Sequence, residues 1–97
     1  MIEFIVYDDQ VEFRDKIKSS IEIVAKENNI EYKIKSFGSY TKEFDKTINS
    51  NISNKIYIMD IEVPDSISGI DVARKIRRED WNSIIILVTS HIELGYE

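Results

Sequence analysis

Oxygen-bearing side chains follow three apolar runs of this chain, at the point where each run ends. They are Asp8 and Asp9 after Ile2–Tyr7, Asp60 after residues 56–59, and Thr89 after Ile84–Val88. Each run has the length of a strand and is apolar or nearly so on both faces, which is typical of a parallel strand covered by helices on either side. Because parallel strands end at one edge of their sheet, we expect these carboxylates and the hydroxyl to lie close together.

A cluster of three carboxylates indicates a divalent cation. Like charges that are held close together repel, and a bound cation offsets the repulsion. A ligand set made only of oxygen atoms, without His or Cys, suits Mg²⁺. A carboxylate beside Mg²⁺ can attack phosphorus and form an aspartyl phosphate, while the metal and a nearby hydroxyl balance the charge on the transferred oxygens. The pattern therefore predicts phosphoryl-transfer chemistry at Asp60.

Several of these residues also have a purely structural interpretation. Asp60 precedes a segment rich in turn-forming residues, and Asp often opens a turn. Asp9 with Glu12 fits a helix N-cap and its partner three residues later. Ser90 is interpreted as another N-cap, and His91, the single histidine, as an exposed loop residue. The joint placement of the acidic residues at strand ends favours the chemical interpretation for Asp60.

Helices are predicted between the strands, because apolar residues recur there at helical spacing. The predicted helices cover residues 10–28, residues 40–48 and a stretch after Ser68, and one further strand covers residues 30–37. Their buried faces are expected to carry Phe13, Ile17, Ile21 and Val24, then Tyr40, Phe44 and Ile48, then Ile70, Ala73 and Ile76. Ser68 with Asp71 and Ser90 with Glu93 have capping-box spacing, and Trp81 is expected to cap the core.

The strand over residues 30–37 differs from the other strands in its alternation. Tyr32 and Ile34 point one way, and Lys33 and Lys35 point the other, which is typical of an edge strand. With that strand at the edge, the predicted strand order is 2-1-3-4. The sequence thus predicts an α/β fold, with a doubly wound parallel sheet and right-handed crossovers.

Composition narrows the possible classes of protein. The 97 residues suit one small domain, and 42% hydrophobic with 32% charged residues is a globular composition. The net charge of −5 argues against direct binding of nucleic acid by this segment, and the lack of cysteine excludes disulfides and thiolate metal sites. With no signal-peptide pattern and no apolar run of membrane-spanning length, we predict a cytoplasmic protein without a membrane partner.

These features together resemble the receiver domain of response regulators in bacterial two-component systems. The matching residues are the acidic pair Asp8-Asp9, Asp60 within Ile-Met-Asp-Ile, the following Pro64 and Gly69, and Thr89 at the end of Ile-Ile-Ile-Leu-Val-Thr. The resemblance covers the whole chain and implies a flavodoxin-like fold. It also implies that residues 1–97 form a receiver domain that stops before the fifth strand of the family and the lysine on that strand.

The resemblance assigns a role to each matching residue. It implies that Asp60 is the phosphoacceptor and that a sensor histidine kinase is the phosphoryl donor. Asp8, Asp9, Asp60 and the backbone carbonyl of Glu62 would hold Mg²⁺. Thr89 would contact the phosphoryl group and act as the switch. Such a domain is not a conventional enzyme, since it catalyses only its own phosphorylation and dephosphorylation.

Two local features indicate a subgroup of response regulators. The loop from Asp60 to Gly69 is one residue longer than in most receivers, and the fourth strand ends in Val-Thr-Ser-His followed by Glu-Leu. Both are similar to quorum-sensing regulators of the accessory-gene type. The resemblance implies transcription regulation through a LytTR DNA-binding domain that is absent here, so that DNA is a partner of that domain only. We also expect self-association, either through the edge of the fourth strand, which lacks a protecting lysine, or through the receiver face.

Two other classes of protein compete with this interpretation. Phosphohydrolases of the haloacid-dehalogenase type also use an Asp nucleophile with Mg²⁺, but they place it in an Asp-x-Asp motif after the first strand, which this chain lacks. A pseudo-receiver, which binds partners without being phosphorylated, is the second alternative. Asp8, Asp9, Asp60 and Thr89 are all present, which argues against it.

Overall fold

A computed structural model of the chain describes residues 1–50 and 54–89. Its elements are β1 (Ile2–Tyr7), α1 (Val11–Glu27), β2 (Tyr32–Phe37), α2 (Lys42–Ile48), β3 (Asn54–Asp60), α3 (Gly69–Glu79) and β4 (Ile84–Val88). Strands β1 and β4 have the predicted bounds, whereas β2 begins two residues later than predicted. The helix predicted to follow Ser90, and His91, lie outside the described residues.

The four strands form one parallel sheet in the order β2-β1-β3-β4, as predicted. Strand β2 lies on one side of β1, and β3 and β4 lie on the other side. With right-handed crossovers, this order places α1 on one face of the sheet and α2 and α3 on the opposite face. The protein therefore has the doubly wound α/β arrangement of a flavodoxin-like domain. In such a sheet the crevice for ligands opens between β1 and β3, outside their carboxyl ends.

The main core lies between the sheet and helices α2 and α3. Ile5 and Tyr7 of β1 pair in register with Tyr57 and Met59 of β3, and all four side chains are fully buried. Phe44 of α2 packs on this face, where its ring meets Tyr7 edge to face at a centroid distance of 5.1 Å. The periodicity of the strands thus places large apolar side chains under α2 and α3 and leaves the strand ends for polar residues.

Side-chain caps begin two of the three described helices, and of these two caps the sequence predicted only Ser68. Thr41 caps α2 by accepting a hydrogen bond from the Phe44 amide at 3.1 Å, and Ser68 caps α3 by accepting one from the Asp71 amide at 3.2 Å. The prediction that Asp9 caps α1 is wrong. The N-cap is Gln10, whose side chain makes no capping bond.

Three predicted packing positions are also wrong. The Trp81 side chain does not cap the core, since it is 75% exposed. Ile70 and Val24 were expected on buried helix faces, but both are exposed. The buried residues of α3 are Gly69, Val72 and Ile76, because the helix is rotated so that these positions, and not Ile70, face the sheet.

None of the helices within residues 1–50 and 54–89 is long and apolar enough to cross a membrane.

Candidate metal site

Strands β1 and β3 bring the predicted acidic residues to one edge of the sheet. Tyr7 and Met59 are the last paired residues of these neighbouring strands, so Asp8 and Asp60 follow side by side. The Asp8 amide donates to the Phe37 carbonyl at 3.1 Å, which extends the backbone ladder with β2 up to the acidic pair. The backbone hydrogen bonds of the sheet therefore fix the positions from which the side chains of Asp8 and Asp60 extend.

The carboxylates of Asp8, Asp9 and Asp60 form an acidic cluster. One oxygen of each lies within 4.8 Å of the others. Asp8 and Asp60 are fully buried, whereas Asp9 is exposed. The cluster is thus open to solvent on the side of Asp9, from which a hydrated cation could approach.

Backbone amides orient the two buried carboxylates. Asp8 Oδ1 accepts a hydrogen bond from the Gln10 amide at 2.8 Å, and Asp60 Oδ1 accepts one from the Glu62 amide at 3.3 Å. Arg14 Nη1 donates to the Asp8 backbone carbonyl at 2.6 Å. The two amide bonds stabilise the charged carboxylates and fix their direction, and the Arg14 bond holds the backbone of Asp8.

The donor set of the cluster fits a hard divalent cation. Only carboxylate oxygens are contributed, and Mg²⁺ prefers oxygen ligands and usually binds one or two carboxylates together with waters and a phosphate oxygen. Cysteine and histidine ligands, which would favour softer metals, are not among the three residues. The cluster could therefore hold Mg²⁺ through Asp8, Asp9 and Asp60.

Gly69 allows the chain to fold closely over the end of β3. A Cβ at this position would lie 2.0 Å from the Asp60 carbonyl oxygen and 3.3 Å from the Ile61 Cα. The Gly69 amide donates to the Ile61 carbonyl at 2.9 Å. This bond closes the segment 61–68, which we call the β3–α3 loop, into a compact turn beside Asp60.

The other two predicted site residues, Thr89 and Glu62, lie close in the sequence to residues at this edge of the sheet. Thr89 directly follows Val88, the residue that pairs with Asp60, and it is exposed. Glu62 has an exposed side chain and stands at the start of the β3–α3 loop. The contact of Thr89 with a phosphoryl group and the metal bond of the Glu62 carbonyl stay predictions.

The hydroxyl of Tyr7 bonds to the β3–α3 loop beside the acidic cluster, a contact that the sequence did not reveal. Tyr7 ends the first apolar run of the sequence, yet its hydroxyl lies 2.8 Å from Ser66 Oγ and donates to the Ile67 carbonyl at 2.6 Å. Burial raises the pKa of Tyr7, the negative charges of Asp9 and Asp60 raise it further, and the Ser66 hydrogen bond opposes them. The hydroxyl therefore stays protonated and can donate. A tyrosine at the end of a buried strand, directly before the acidic pair, was the available signal.

A buried lysine was likewise missed, at the opposite end of β3. Lys55 Nζ lies 3.5 Å from Asp80 Oδ2 and also donates to the Ser50 carbonyl, although the lysine side chain is almost fully buried. Tyr57 reaches the same Asp80 oxygen at 3.4 Å, and burial raises the pKa of Tyr57. This polar group joins the end of α3 to β3, far from the acidic cluster.

Comparison with protein-family models and with curated proteins found no match to this chain. The flavodoxin-like fold and the acidic cluster are therefore the observations from which a function is inferred.

Proposed function

We propose that this chain is a receiver-type phosphoacceptor domain, in which Asp60 accepts a phosphoryl group with the help of Mg²⁺. The observation that carries the proposal is the convergence of Asp8, Asp9 and Asp60 within 4.8 Å at the carboxyl ends of β1 and β3. This is the crevice in which doubly wound sheets bind ligands. A carboxylate here would lie close to a bound cation, and Asp60 is held at the end of a strand.

The reaction is a transfer between a phosphohistidine and a carboxylate. A carboxylate oxygen of Asp60 attacks the phosphorus, the phosphorus–nitrogen bond breaks, and the imidazole leaves with the electron pair of that bond. The product is an acyl phosphate on Asp60. Mg²⁺ would neutralise the charge on the transferred phosphoryl oxygens, and Asp8 and Asp9 would hold it in place.

The surrounding residues supply orientation. The Glu62 amide holds one oxygen of Asp60 at 3.3 Å, so the carboxylate has a defined direction before the donor arrives. Thr89, next in the chain after the partner of Asp60, supplies a hydroxyl that contacts the phosphoryl group and changes position with it.

The biological setting follows from the resemblance of the motifs to response regulators. The phosphoryl donor is a sensor histidine kinase, and the protein acts in the cytoplasm. The output is transcription regulation in quorum sensing, through a LytTR-type DNA-binding domain. The alternative is a pseudo-receiver that binds a partner without phosphorylation. The two differ in whether Asp60 reacts.

The test is phosphorylation of the purified chain by acetyl phosphate with Mg²⁺. The wild type should gain one hydroxylamine-sensitive phosphoryl group, and Asp60→Asn should gain none. Asp65→Asn is the matched control, because Asp65 is an exposed carboxylate of the same loop with a φ of 61° that Asn also adopts. Labelling of Asp60→Asn equal to that of the wild type would place the acceptor elsewhere.

Beryllofluoride separates the receiver from the pseudo-receiver. This phosphoryl analogue, added with Mg²⁺, should shift the amide resonances of Ile61 and Glu62, which directly follow Asp60. A chain that is neither labelled by acetyl phosphate nor perturbed by beryllofluoride would be a pseudo-receiver.

A further inference from the structure

The Tyr7 hydroxyl lies at the centre of a hydrogen-bond chain between three segments. Tyr7 ends β1 and directly precedes Asp8. Its hydroxyl contacts Ser66 Oγ at 2.8 Å and donates to the Ile67 carbonyl at 2.6 Å. Ser66 Oγ in turn accepts a hydrogen bond from the Tyr40 amide at 2.9 Å. The chain therefore joins the end of β1, the β3–α3 loop and the segment before α2.

The direction of this hydrogen-bond chain follows from counting protons. Tyr7 has a single hydroxyl proton, which it donates to the Ile67 carbonyl. The contact between Tyr7 and Ser66 is then made by the Ser66 hydroxyl proton, and Ser66 Oγ accepts from the Tyr40 amide. Every hydroxyl in the chain both donates and accepts, so the chain is fully satisfied in one arrangement.

Packing alone does not call for a hydroxyl at Tyr7. The residue is fully buried, and its ring already fills the core against Phe44. A phenylalanine would occupy the same volume without the cost of burying a polar group. Among the described residues, the hydroxyl instead hydrogen-bonds to the β3–α3 loop, the segment that also carries Glu62 beside Asp60.

We propose that Tyr7 and Ser66 are positioning residues, which hold the β3–α3 loop against the end of β1 and thereby set the affinity of the acidic cluster for a divalent cation. The cation part of this inference rests on the proposed function. The loop is closed at its base by the Gly69–Ile61 hydrogen bond, and the Tyr7–Ser66 pair holds its far half. With both ends held, the backbone around Glu62 keeps a constant distance from Asp8 and Asp9.

The experiment compares Tyr7→Phe and Ser66→Ala with the wild type. Mg²⁺ affinity is measured by calorimetry, and amide hydrogen exchange of residues 61–69 is measured without metal. Each variant should bind Mg²⁺ roughly tenfold more weakly, as removal of an outer-shell partner commonly does, and its loop should exchange faster. The double variant should be no weaker than the weaker single variant, because both substitutions break one hydrogen-bond chain.

Tyr57→Phe is the matched control. It removes another buried hydroxyl on the same face of the sheet, but that hydroxyl bonds Asp80 at the far end of β3. It should lower stability without changing Mg²⁺ affinity or loop exchange. A purely structural role for Tyr7 would give the same result as this control.

The outcomes separate the two proposals. Unchanged Mg²⁺ affinity and unchanged loop exchange in Tyr7→Phe and Ser66→Ala overturn the positioning role while leaving the cation site intact. A wild type that binds no Mg²⁺ overturns the proposed function and the cation part of this inference. Loop exchange then still decides whether the hydroxyl pair holds the loop.

Discussion

Asp9 differs from the other two carboxylates of the acidic cluster because it is exposed. Asp8 and Asp60 each accept a backbone amide, which stabilises their charges inside the fold. Asp9 adds a third negative charge at the mouth of the cluster. Without a cation, that charge is expected to raise the free energy of the folded state through repulsion, and in the proposed metal site it would serve as a ligand.

Asp9→Asn is therefore expected to stabilise the metal-free chain and weaken its metal binding. Loss of the repulsion should raise the free energy of unfolding by about 1 kcal/mol, and loss of a charged ligand should lower Mg²⁺ affinity roughly tenfold. Urea unfolding without metal and calorimetry with Mg²⁺ measure the two effects.

Asp15→Asn controls for a general effect of net charge, because Asp15 is an exposed carboxylate of α1. It should change neither quantity by much. If the Asp9→Asn variant unfolds at a lower urea concentration than the wild type and binds Mg²⁺ with the same affinity, Asp9 has only a local structural role.

At the scale of residues, the sequence predicted the cluster better than the hydrogen bonds around it. Asp8, Asp9 and Asp60 could be placed together because each follows an apolar strand whose length sets where it ends. The capping role of Asp9 could not be judged in the same way, because Asp8 holds the Gln10 amide and the helix begins one residue later than that capping required. Which of several nearby acceptors takes an amide depends on backbone angles that residue spacing does not specify.

At the scale of elements, α3 begins closer to β3 than any side chain would allow. The nearest atoms to a Cβ on Gly69 belong to the Asp60 and Ile61 backbone, which cannot move without disturbing the strand. Gly69→Ala should lower the free energy of unfolding by about 3 kcal/mol or more and should also weaken Mg²⁺ binding, since Asp60 would shift. Chemical denaturation and calorimetry measure both.

Gly38→Ala is the matched control for that substitution. Its Cβ would lie 2.9 Å from Arg14 Nη1, the end of a flexible side chain that can move aside. We expect a loss below about 1 kcal/mol. Equal losses at the two glycines would contradict the close approach of α3 to β3.

Strands were predicted more accurately than helix faces, for a physical reason. A strand such as Ile84–Val88 is defined by a short apolar run with polar residues at its ends, so its bounds are visible in the sequence. A helix with apolar residues on several sides can be rotated about its axis and still bury an apolar face. In α3, Ile70 was expected to be buried but is exposed, whereas Val72 is buried. The contacts with the sheet decide that rotation, and they depend on the whole fold.

At the scale of the whole molecule, buried charges lie at both ends of the sheet. The acidic cluster lies at the carboxyl end of β3, and Lys55 with Asp80 lies at the amino end. Glu3 pairs in register with both Lys33 and Lys55, and its carboxylate also lies 3.5 Å from Lys35 Nζ. The lysines of β2 could be predicted as edge residues from their alternation, whereas their bond to a buried glutamate depended on the register.

The two outer strands of the sheet differ in their protection. β2 carries Lys33 and Lys35, whereas β4 is made of five apolar residues. Within the part of the chain that the structure describes, β4 pairs with β3 alone, and Ile84, Ile86 and Leu87 are 56%, 44% and 41% exposed. An apolar strand whose outer backbone groups lack a partner strand is a template for pairing with another chain.

We therefore expect purified residues 1–97 to self-associate at micromolar concentration through β4. Ile86→Lys should reduce the association, because a lysine on the strand cannot be buried between two copies without losing hydration of its charge. Val24→Lys is the matched control, since it places the same charge at an exposed apolar position of α1 and should leave association unchanged. Light scattering across a dilution series measures the mass of each variant. A wild type that stays strictly monomeric and unfolds cooperatively would show that the β4 edge is not an association surface. An equal loss of association in both lysine variants would show that net charge, and not β4, controls the association.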